Sequence, residues 1–280
     1  MKKMKISSKI IVLFLVLTSL NACKKEESIA TTTPASTVTG CKISKIDFGG
    51  GEYYTFTFNS SGQASQYDSY YKDGTGKTIH TTTTYVYDSN GLLTNSKFDG
   101  GQEKYTYANG ALTTIEIFDD KNVSTYKITV TTDANKRIIG MKDSNNYSNK
   151  TTRDALGNYI KSETFDENNK LVLREEISKY DGKKNWRNSL AGWPLDVSNY
   201  YDSYIYYGGY FNEPSGGYDD EKLYWAYDDN GNYTGKLVLV NNFTFTKQFN
   251  SKGFPIKVDS KDAVDAKNNG TVVYSYSDCQ

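Results

Sequence analysis

The chain has 280 residues, with 33 basic and 33 acidic side chains and a single histidine. Four of the basic residues precede position 10, so the remainder carries 29 basic against 33 acidic residues, a formal charge of −4. That charge excludes a broad electrostatic footprint for nucleic acid. One histidine and two cysteines that we expect to be bridged leave no His/Cys zinc site, and we expect no metal, no cofactor and no nucleic-acid partner.

The first 22 residues have the three parts of a secretory signal peptide. Four lysines come first, and an unbroken apolar run follows at residues 10–17. Those eight residues are too few to cross a bilayer as a helix, which takes about 20. The sequence therefore predicts an exported protein from which the signal peptide, 1–22, is removed.

The signal ends in Leu20-Asn21-Ala22-Cys23, which resembles the lipobox of bacterial lipoproteins. In that family the cysteine thiol receives diacylglycerol, the chain is cut before the cysteine, and the new amino group is acylated by a fatty acid such as palmitate. We predict a membrane anchor at Cys23, because two or three acyl chains hold a protein firmly where one binds marginally. An ordinary secreted protein with a chance cysteine is the alternative.

A charged tag and a polar stretch follow the anchor. Lys24-Lys25-Glu26-Glu27 resembles the export tag of Bacteroidota surface lipoproteins, which implies the outer face of the outer membrane. Its periplasmic face is the alternative, and short mixed charge runs are often only solvated. Residues 28–40 cannot bury enough apolar surface to fold, so we expect 23–40 to be a lipidated cysteine and a flexible tether spanning about 20–25 Å.

Two cysteines, Cys41 and Cys279, flank the remaining chain. In an oxidising compartment two such thiols suggest a disulfide. Two free thiols are the alternative, because a bridge needs Cα atoms within about 7 Å. A bridge would make the first and last strands neighbours, which indicates a closed or nearly closed sheet.

Residues 41–180 and 222–278 repeat one phrase: alternating aromatic and polar residues, an Asp or Asn, and a turn with Gly. The clearest copies are 85–93 and 225–233. Asn and Gly accept the positive φ of tight turns, and Asp88 and Asp228 stand where a carboxylate can accept N–H groups across the turn. The pattern predicts about sixteen short strands. Short helical turns fit only residues 170–179 and 259–267.

The phrase resembles the YD repeats of RHS-type proteins and Bacteroidota lipoproteins of unknown function with a porin-like fold. The resemblance implies one all-β domain over 41–280, a large antiparallel sheet of stacked hairpins curled into a soluble barrel or wrapped sheet. We reject a membrane-spanning barrel, because segments such as 81–84 and 274–277 have hydroxyl-rich faces. The self-cleaving core and toxic domain of RHS toxins have no counterpart in this sequence, so their activity is not implied.

An aromatic-rich insertion interrupts the phrase at about 180–222. Functional residues concentrate on irregular segments held by a rigid scaffold, so one interpretation is a surface on which sugar rings stack. The candidate ligand-binding residues are Trp186, Trp193, Tyr204, Tyr206, Tyr210 and Trp225. The alternative is a plug that closes one end of the sheet with the same rings as filling.

These features predict a non-catalytic binding or interaction module of the cell envelope, with glycan or another envelope protein as its partner. A structural envelope lipoprotein without a ligand and a glycoside hydrolase remain as alternatives. The hydrolase needs two carboxylates about 5–10 Å apart facing a cleft. We nominate no catalytic residue, because nucleophile-elbow, phosphate-loop and metalloprotease motifs are missing from the sequence, and we expect His80 to be an exposed strand residue.

Overall fold

The computed structural model describes residues 41–183, 217–228 and 230–279. These residues form sixteen antiparallel strands in one closed barrel, in which each strand pairs with its neighbours along the chain and the last strand returns to the first. The strands are β1 (Lys42–Gly49), β2 (Glu52–Phe58), β3 (Ala64–Lys72), β4 (Thr78–Tyr87), β5 (Leu93–Phe98), β6 (Gly101–Ala108), β7 (Ala111–Asp119), β8 (Ser124–Thr132), β9 (Ile138–Asp143), β10 (Ser148–Arg153), β11 (Tyr159–Phe165), β12 (Leu171–Glu176), β13 (Asp220–Tyr227), β14 (Tyr233–Phe249), β15 (Pro255–Asp262) and β16 (Gly270–Ser277).

The predicted all-β sheet curled into a barrel is confirmed. Of the two windows considered for helical turns, 170–179 is wrong, because Leu171–Glu176 is strand β12. The second contains most of a single 3-10 turn, Ala266–Asn268, between β15 and β16. None of the helices among the described residues has the length and apolar character to span a membrane.

The predicted disulfide closes the ring of strands. Cys41 and Cys279 are bonded with an S–S distance of 2.06 Å, directly beside the pairing of Lys42 with Ser277 across β1 and β16. Because the strands alternate in direction, this end of the barrel also carries the β4–β5 and β14–β15 turns. We call it the disulfide end.

Ten hairpin turns of the described chain share one local design, which explains the repeated phrase. In the turn that starts at Asp88, Oδ1 accepts the N–H groups of Asn90 at 2.9 Å and Leu92 at 2.8 Å. Gly91 between them has φ +79°, a conformation that glycine adopts without steric cost. The turns start at Asn59, Asp73, Asp88, Asp119, Asp133, Asp143, Asp154, Asp166, Asp228 and Asn250.

The two faces of the wall differ in polarity. Side chains such as Ile115 and Ile128 are fully buried on the inner face and form one apolar core over β1–β9. The outer face carries ion pairs, among them Arg174 with Glu163 at 2.8 Å and Lys45 with Asp47 at 2.6 Å. A membrane-spanning barrel has apolar side chains on its outer face, where these ion pairs lie.

Tyrosine hydroxyls tie neighbouring strands together near the disulfide end. Tyr87 donates to the Ala64 carbonyl at 2.8 Å, Tyr107 to Leu93 at 2.9 Å, and Tyr276 to Pro255 at 2.8 Å. Burial, and to a smaller extent the negative charge of the Asp88 carboxylate, raises the pKa of the Tyr107 hydroxyl to about 12. These hydroxyls therefore stay protonated and keep donating.

Candidate functional site

One connection of the described chain departs from the hairpin pattern, and its two ends form a short stem. It joins β12 to β13, and residues 177–183 and 217–219, which we call the stem, belong to the described chain. Tyr180 pairs with Tyr218 in an isolated bridge. The Asp181 N–H donates to the Gly217 carbonyl at 3.1 Å, and the Asp219 N–H donates to Lys179 at 2.8 Å. The connection therefore leaves the barrel as a paired ribbon.

Lys247 of β14 holds both arms of the stem. Its side chain is only 9% exposed. The ammonium group donates to Asp181 Oδ2 at 2.8 Å, to Asp219 Oδ1 at 3.3 Å and to the Tyr218 carbonyl at 2.5 Å. A nearly buried cation is stable only when anions and acceptors replace its water, and these three groups do so.

Asp220 makes a second clasp. Its Oδ1 accepts the N–H groups of Ser178 at 2.8 Å and Lys179 at 3.1 Å, and its Oδ2 accepts the Ser178 hydroxyl. The first residue of β13 is thus fixed to the chain leaving β12. The rings of Tyr218 and Phe245 add an edge-to-face contact at 5.4 Å, so polar and apolar contacts together orient the stem.

The stem lies at the disulfide end, where the chain enters the barrel. Asn250, at the turn after β14, donates to the sulfurs of Cys41 at 3.6 Å and Cys279 at 3.7 Å. Lys247 is three residues earlier in the chain, near the end of β14, about 10 Å away at the usual rise of a strand. The entry of the chain and the stem are therefore close neighbours.

Two carboxylates approach the stem on the inner face of the barrel. Glu175 is fully buried and accepts the hydroxyl of Tyr159 at 2.5 Å. Glu175 pairs with Leu223, so Glu221, two residues earlier on β13, is its diagonal neighbour, with Cα atoms about 7–8 Å apart. Burial raises the pKa of Glu221 to about 7, against a smaller lowering by a hydrogen bond with Tyr218.

Glu175 lacks the access that a glycosidase carboxylate needs. A substrate must reach both carboxylates, whereas Glu175 has no exposed surface and is bonded to Tyr159. Burial and then the charge of Glu175 raise the pKa of Tyr159 well above its usual value. The geometry therefore points to a structural role for Glu175.

Trp225 is the one predicted ligand-binding residue that falls among the described residues. It is half-buried on β13, where it pairs with Leu173 on one side and Val238 on the other. Its ring lies 5.2 Å from that of Tyr227. Trp225 thus belongs to the sheet and not to the stem. The other candidates lie outside the described residues, as does Cys23: Trp186, Trp193, Tyr204, Tyr206 and Tyr210.

His80 is an exposed residue of β4, as expected. Its ring stacks on Tyr70 at 4.4 Å, Tyr70 stacks on Tyr53 at 4.5 Å, and Lys45 Nζ lies 4.3 Å from the Tyr53 ring centroid. His80 Nε2 is 2.9 Å from the Asp68 carboxylate. The rings cover one another, so this row does not offer a flat platform to a ligand.

The residues that organise the stem were missed at the sequence level. Phe245, Lys247 and Phe249 alternate along β14, which places the lysine on the face of two aromatic rings. A lysine on an apolar face is a signal of a paired, buried cation, although the pattern does not identify its partners. Across the parts of the chain that the structure describes, no three His, Cys, Asp or Glu residues gather as metal ligands.

Comparison with known proteins yields structural neighbours only. A crystal structure of a porin-like protein from Bacteroides uniformis shares 13% identity over 84% of this chain and 96% of its own, with a TM-score of 0.45. A porin-like protein from Bacteroides vulgatus shares 12% identity over 84% of this chain and 99% of its own, with a TM-score of 0.42. The crystal structure of TcdB2-TccC3 shares 12% identity over 80% of this chain and 13% of its own, with a TM-score of 0.22. No protein-family model and no curated protein matches the chain.

Proposed function

We propose that this chain is a lipid-anchored envelope protein in which the barrel holds the long β12–β13 connection as a non-catalytic binding module. The observation that carries the proposal is the clasp of Lys247 on Asp181 and Asp219, which fixes both arms of the connection. Binding loops gain affinity when a rigid scaffold limits the order they must acquire on binding. A connection that served only as a spacer would not need such a base.

The chemistry of the connection favours glycan. Its sequence combines tryptophan and tyrosine rings with asparagine and aspartate side chains. Aromatic rings cover the apolar face of a sugar, and amide and carboxylate groups pair with its hydroxyls. Trp186, Trp193, Tyr204, Tyr206 and Tyr210 are the proposed contacts.

The place of the stem constrains the partner. The stem and Cys41 share the disulfide end, and the tether from Cys23 would span about 20–25 Å. The connection and the tether would therefore start from the same end of the barrel. We propose a partner within the envelope, either a glycan or a second envelope protein, at the outer face of the outer membrane or otherwise at its periplasmic face.

Glycan-array screening followed by calorimetry tests the binding proposal. We expect the Trp186→Ala, Trp193→Ala double variant to lose at least tenfold in affinity, and Lys247→Met to lose affinity because the stem is released. Tyr70→Ala, on the outer wall, is the control and should bind like the wild type. Equal binding by the double variant would exclude these rings as the site.

The anchor has its own test. Metabolic labelling with a palmitate analogue should mark the wild type and not Cys23→Ala. Label on both proteins, or on neither, would contradict anchoring through Cys23.

A structural envelope protein without a ligand is the second candidate. The observation that favours it is the apolar core, in which side chains on the inner face of β1–β9 are buried to a few per cent exposure. In that case the connection's tryptophans would be packed, and acrylamide would not quench their fluorescence. Strong quenching would favour the binding module.

A further inference from the structure

Four exposed lysines on the outer face of the barrel wall have no carboxylate partner. The residue before each of them in its strand is buried, so the lysine side chain points outwards. None of the ion pairs among the described residues includes any of the four. They are Lys104 of β6, Lys127 of β8, Lys142 of β9 and Lys150 of β10, and we call them the lysine band.

The strand register makes these lysines neighbours. Lys104 and Lys127 lie on either side of Glu116 of β7, two strand spacings or about 10 Å apart. Lys142 is the diagonal neighbour of Lys127 on one side and of Lys150 on the other, and such neighbours are about 7–8 Å apart. The lysine band therefore runs without a break from β6 to β10.

Lysines elsewhere on the outer wall are neutralised within their own strand. Lys45, Lys161 and Lys257 each form an ion pair with the acid two residues later, at 2.6, 3.1 and 2.8 Å. In the lysine band, a hydroxyl side chain takes the place of that acid. These residues are Thr106, Thr129, Ser144 and Thr152.

The two carboxylates that lie beside the band have other partners. Glu116 accepts a serine hydroxyl of β8 at 2.6 Å. Glu163, opposite Lys150, is bonded by Lys161 at 3.1 Å and by Arg174 at 2.8 Å. Four lysines and Glu116 give the band a formal charge of +3, whereas the chain after the signal peptide carries −4. The band is thus a positive region on a weakly acidic protein.

We propose that the lysine band binds an acidic polysaccharide, a chain of sugars that carry carboxylate or phosphate groups. Lysine ammonium groups attract such anions as point charges, and the serine and threonine hydroxyls beside them donate to and accept from sugar hydroxyls. The band lies on the wall of the barrel and not on the β12–β13 connection, so it is a second and separate binding surface.

The layout of the band fits a flexible chain better than an anionic bilayer. The band crosses five of the sixteen strands of a closed barrel, and a closed wall curves away from a flat surface. Helices that bind to bilayer surfaces also insert large apolar side chains, whereas the exposed large apolar residues include none from strands β6–β10. A polysaccharide follows the curve and needs no apolar insertion.

Calorimetry with polygalacturonate tests the surface in the full-length protein. We expect the wild type to bind this polymer and not neutral dextran. Its affinity should fall on the order of tenfold between about 50 mM and about 300 mM NaCl, because salt screens exposed charges. The Lys127→Gln, Lys142→Gln double variant should bind on the order of tenfold more weakly than the wild type, because each lysine contributes to the attraction of an anionic surface.

The Lys45→Gln, Lys257→Gln double variant is the matched control. It removes the same charge from strands β1 and β15 of the same wall, and it should bind polygalacturonate like the wild type. Urea unfolding should be cooperative in both variants, since all four lysines lie on the surface. A wild type that does not bind polygalacturonate at about 50 mM NaCl would overturn the proposal, and so would equal losses in the two variants.

Vesicles of phosphatidylcholine, with or without phosphatidylglycerol, separate a lipid site from a polysaccharide site. Any anchor at Cys23 is common to the wild type and the variants, so the Lys127→Gln, Lys142→Gln variant should bind both kinds of vesicle as the wild type does. A preference of the wild type for phosphatidylglycerol that this variant lacks would assign the band to lipid headgroups and would also overturn the proposal.

Discussion

Lys247 and Asp181 lie 66 residues apart in the chain, and their side chains form a 2.8 Å ion pair at the base of the β12–β13 connection. The same ammonium group reaches Asp219 at 3.3 Å, on the returning arm. One strand of the barrel thereby fixes where the connection begins and where it ends.

Replacing Lys247 by Met should destabilise the barrel and loosen the stem. Two carboxylates would lose a nearly buried partner, a change that costs about 3 kcal/mol of unfolding free energy. Urea unfolding measures the loss, and limited proteolysis should cut faster between residues 183 and 217. Lys45→Met removes a more exposed pair with Asp47 and should cost less than about 1 kcal/mol. Equal losses of unfolding free energy in the two variants would show that the ion pairs of Lys247 stabilise the protein no more than an exposed pair does.

The repeated hairpin was predictable because its determinants are local. Asp88 bonds residues two and four positions later, and alternation assigned inner and outer faces without knowledge of distant contacts. Closure into a barrel was predictable from Cys41 and Cys279, because a bridge between the chain ends brings β1 and β16 together. The clasp was not predictable, because the partners of Lys247 lie 28 and 66 residues away, where no local pattern identifies them.

Glu221 should make stability depend on pH. Its pKa is about 7 in the folded protein against an ordinary value of 4.5, so the folded state binds a proton that the unfolded state releases. Stability should therefore fall as pH rises from about 4.5 to 7, and level off above that. Glu221→Gln, which mimics the protonated form, should match the wild-type Tm at pH 4 and exceed it at pH 8.

The control for this prediction is Glu167→Gln, in the exposed part of the β11–β12 turn. Its Tm should follow the wild-type curve across the same range. A Glu221→Gln curve parallel to the wild type from pH 4 to pH 8 would mean that Glu221 titrates at the same pH in both states.

The hydrogen bonds of the turn predict which side chains its first position tolerates. Asp88→Ala removes an acceptor for two N–H groups and should lower the unfolding free energy by about 1–2 kcal/mol. Asp88→Asn should lose less than about half of that, because Asn59 and Asn250 make the same bonds in their own turns. Urea unfolding compares the two. An asparagine as damaging as alanine would mean that charge, and not the acceptor oxygen, holds the turn.

Removing the disulfide should weaken the pairing of β1 with β16 in particular. The Cys41→Ser, Cys279→Ser variant loses a bond that closes a loop of 238 residues, for which chain entropy sets an upper value of about 5 kcal/mol and typical losses are about 2–5 kcal/mol. Hydrogen exchange should accelerate first in β1 and β16. Every other pair of neighbouring described strands is also joined directly by the chain, whereas β1 and β16 are not. Wild-type protein reduced with dithiothreitol should behave like the variant, since both lack the same bond. Uniform acceleration over all sixteen strands would instead mean that the bridge acts on global unfolding alone, and the barrel would then close through strand pairing without local help from the cysteines.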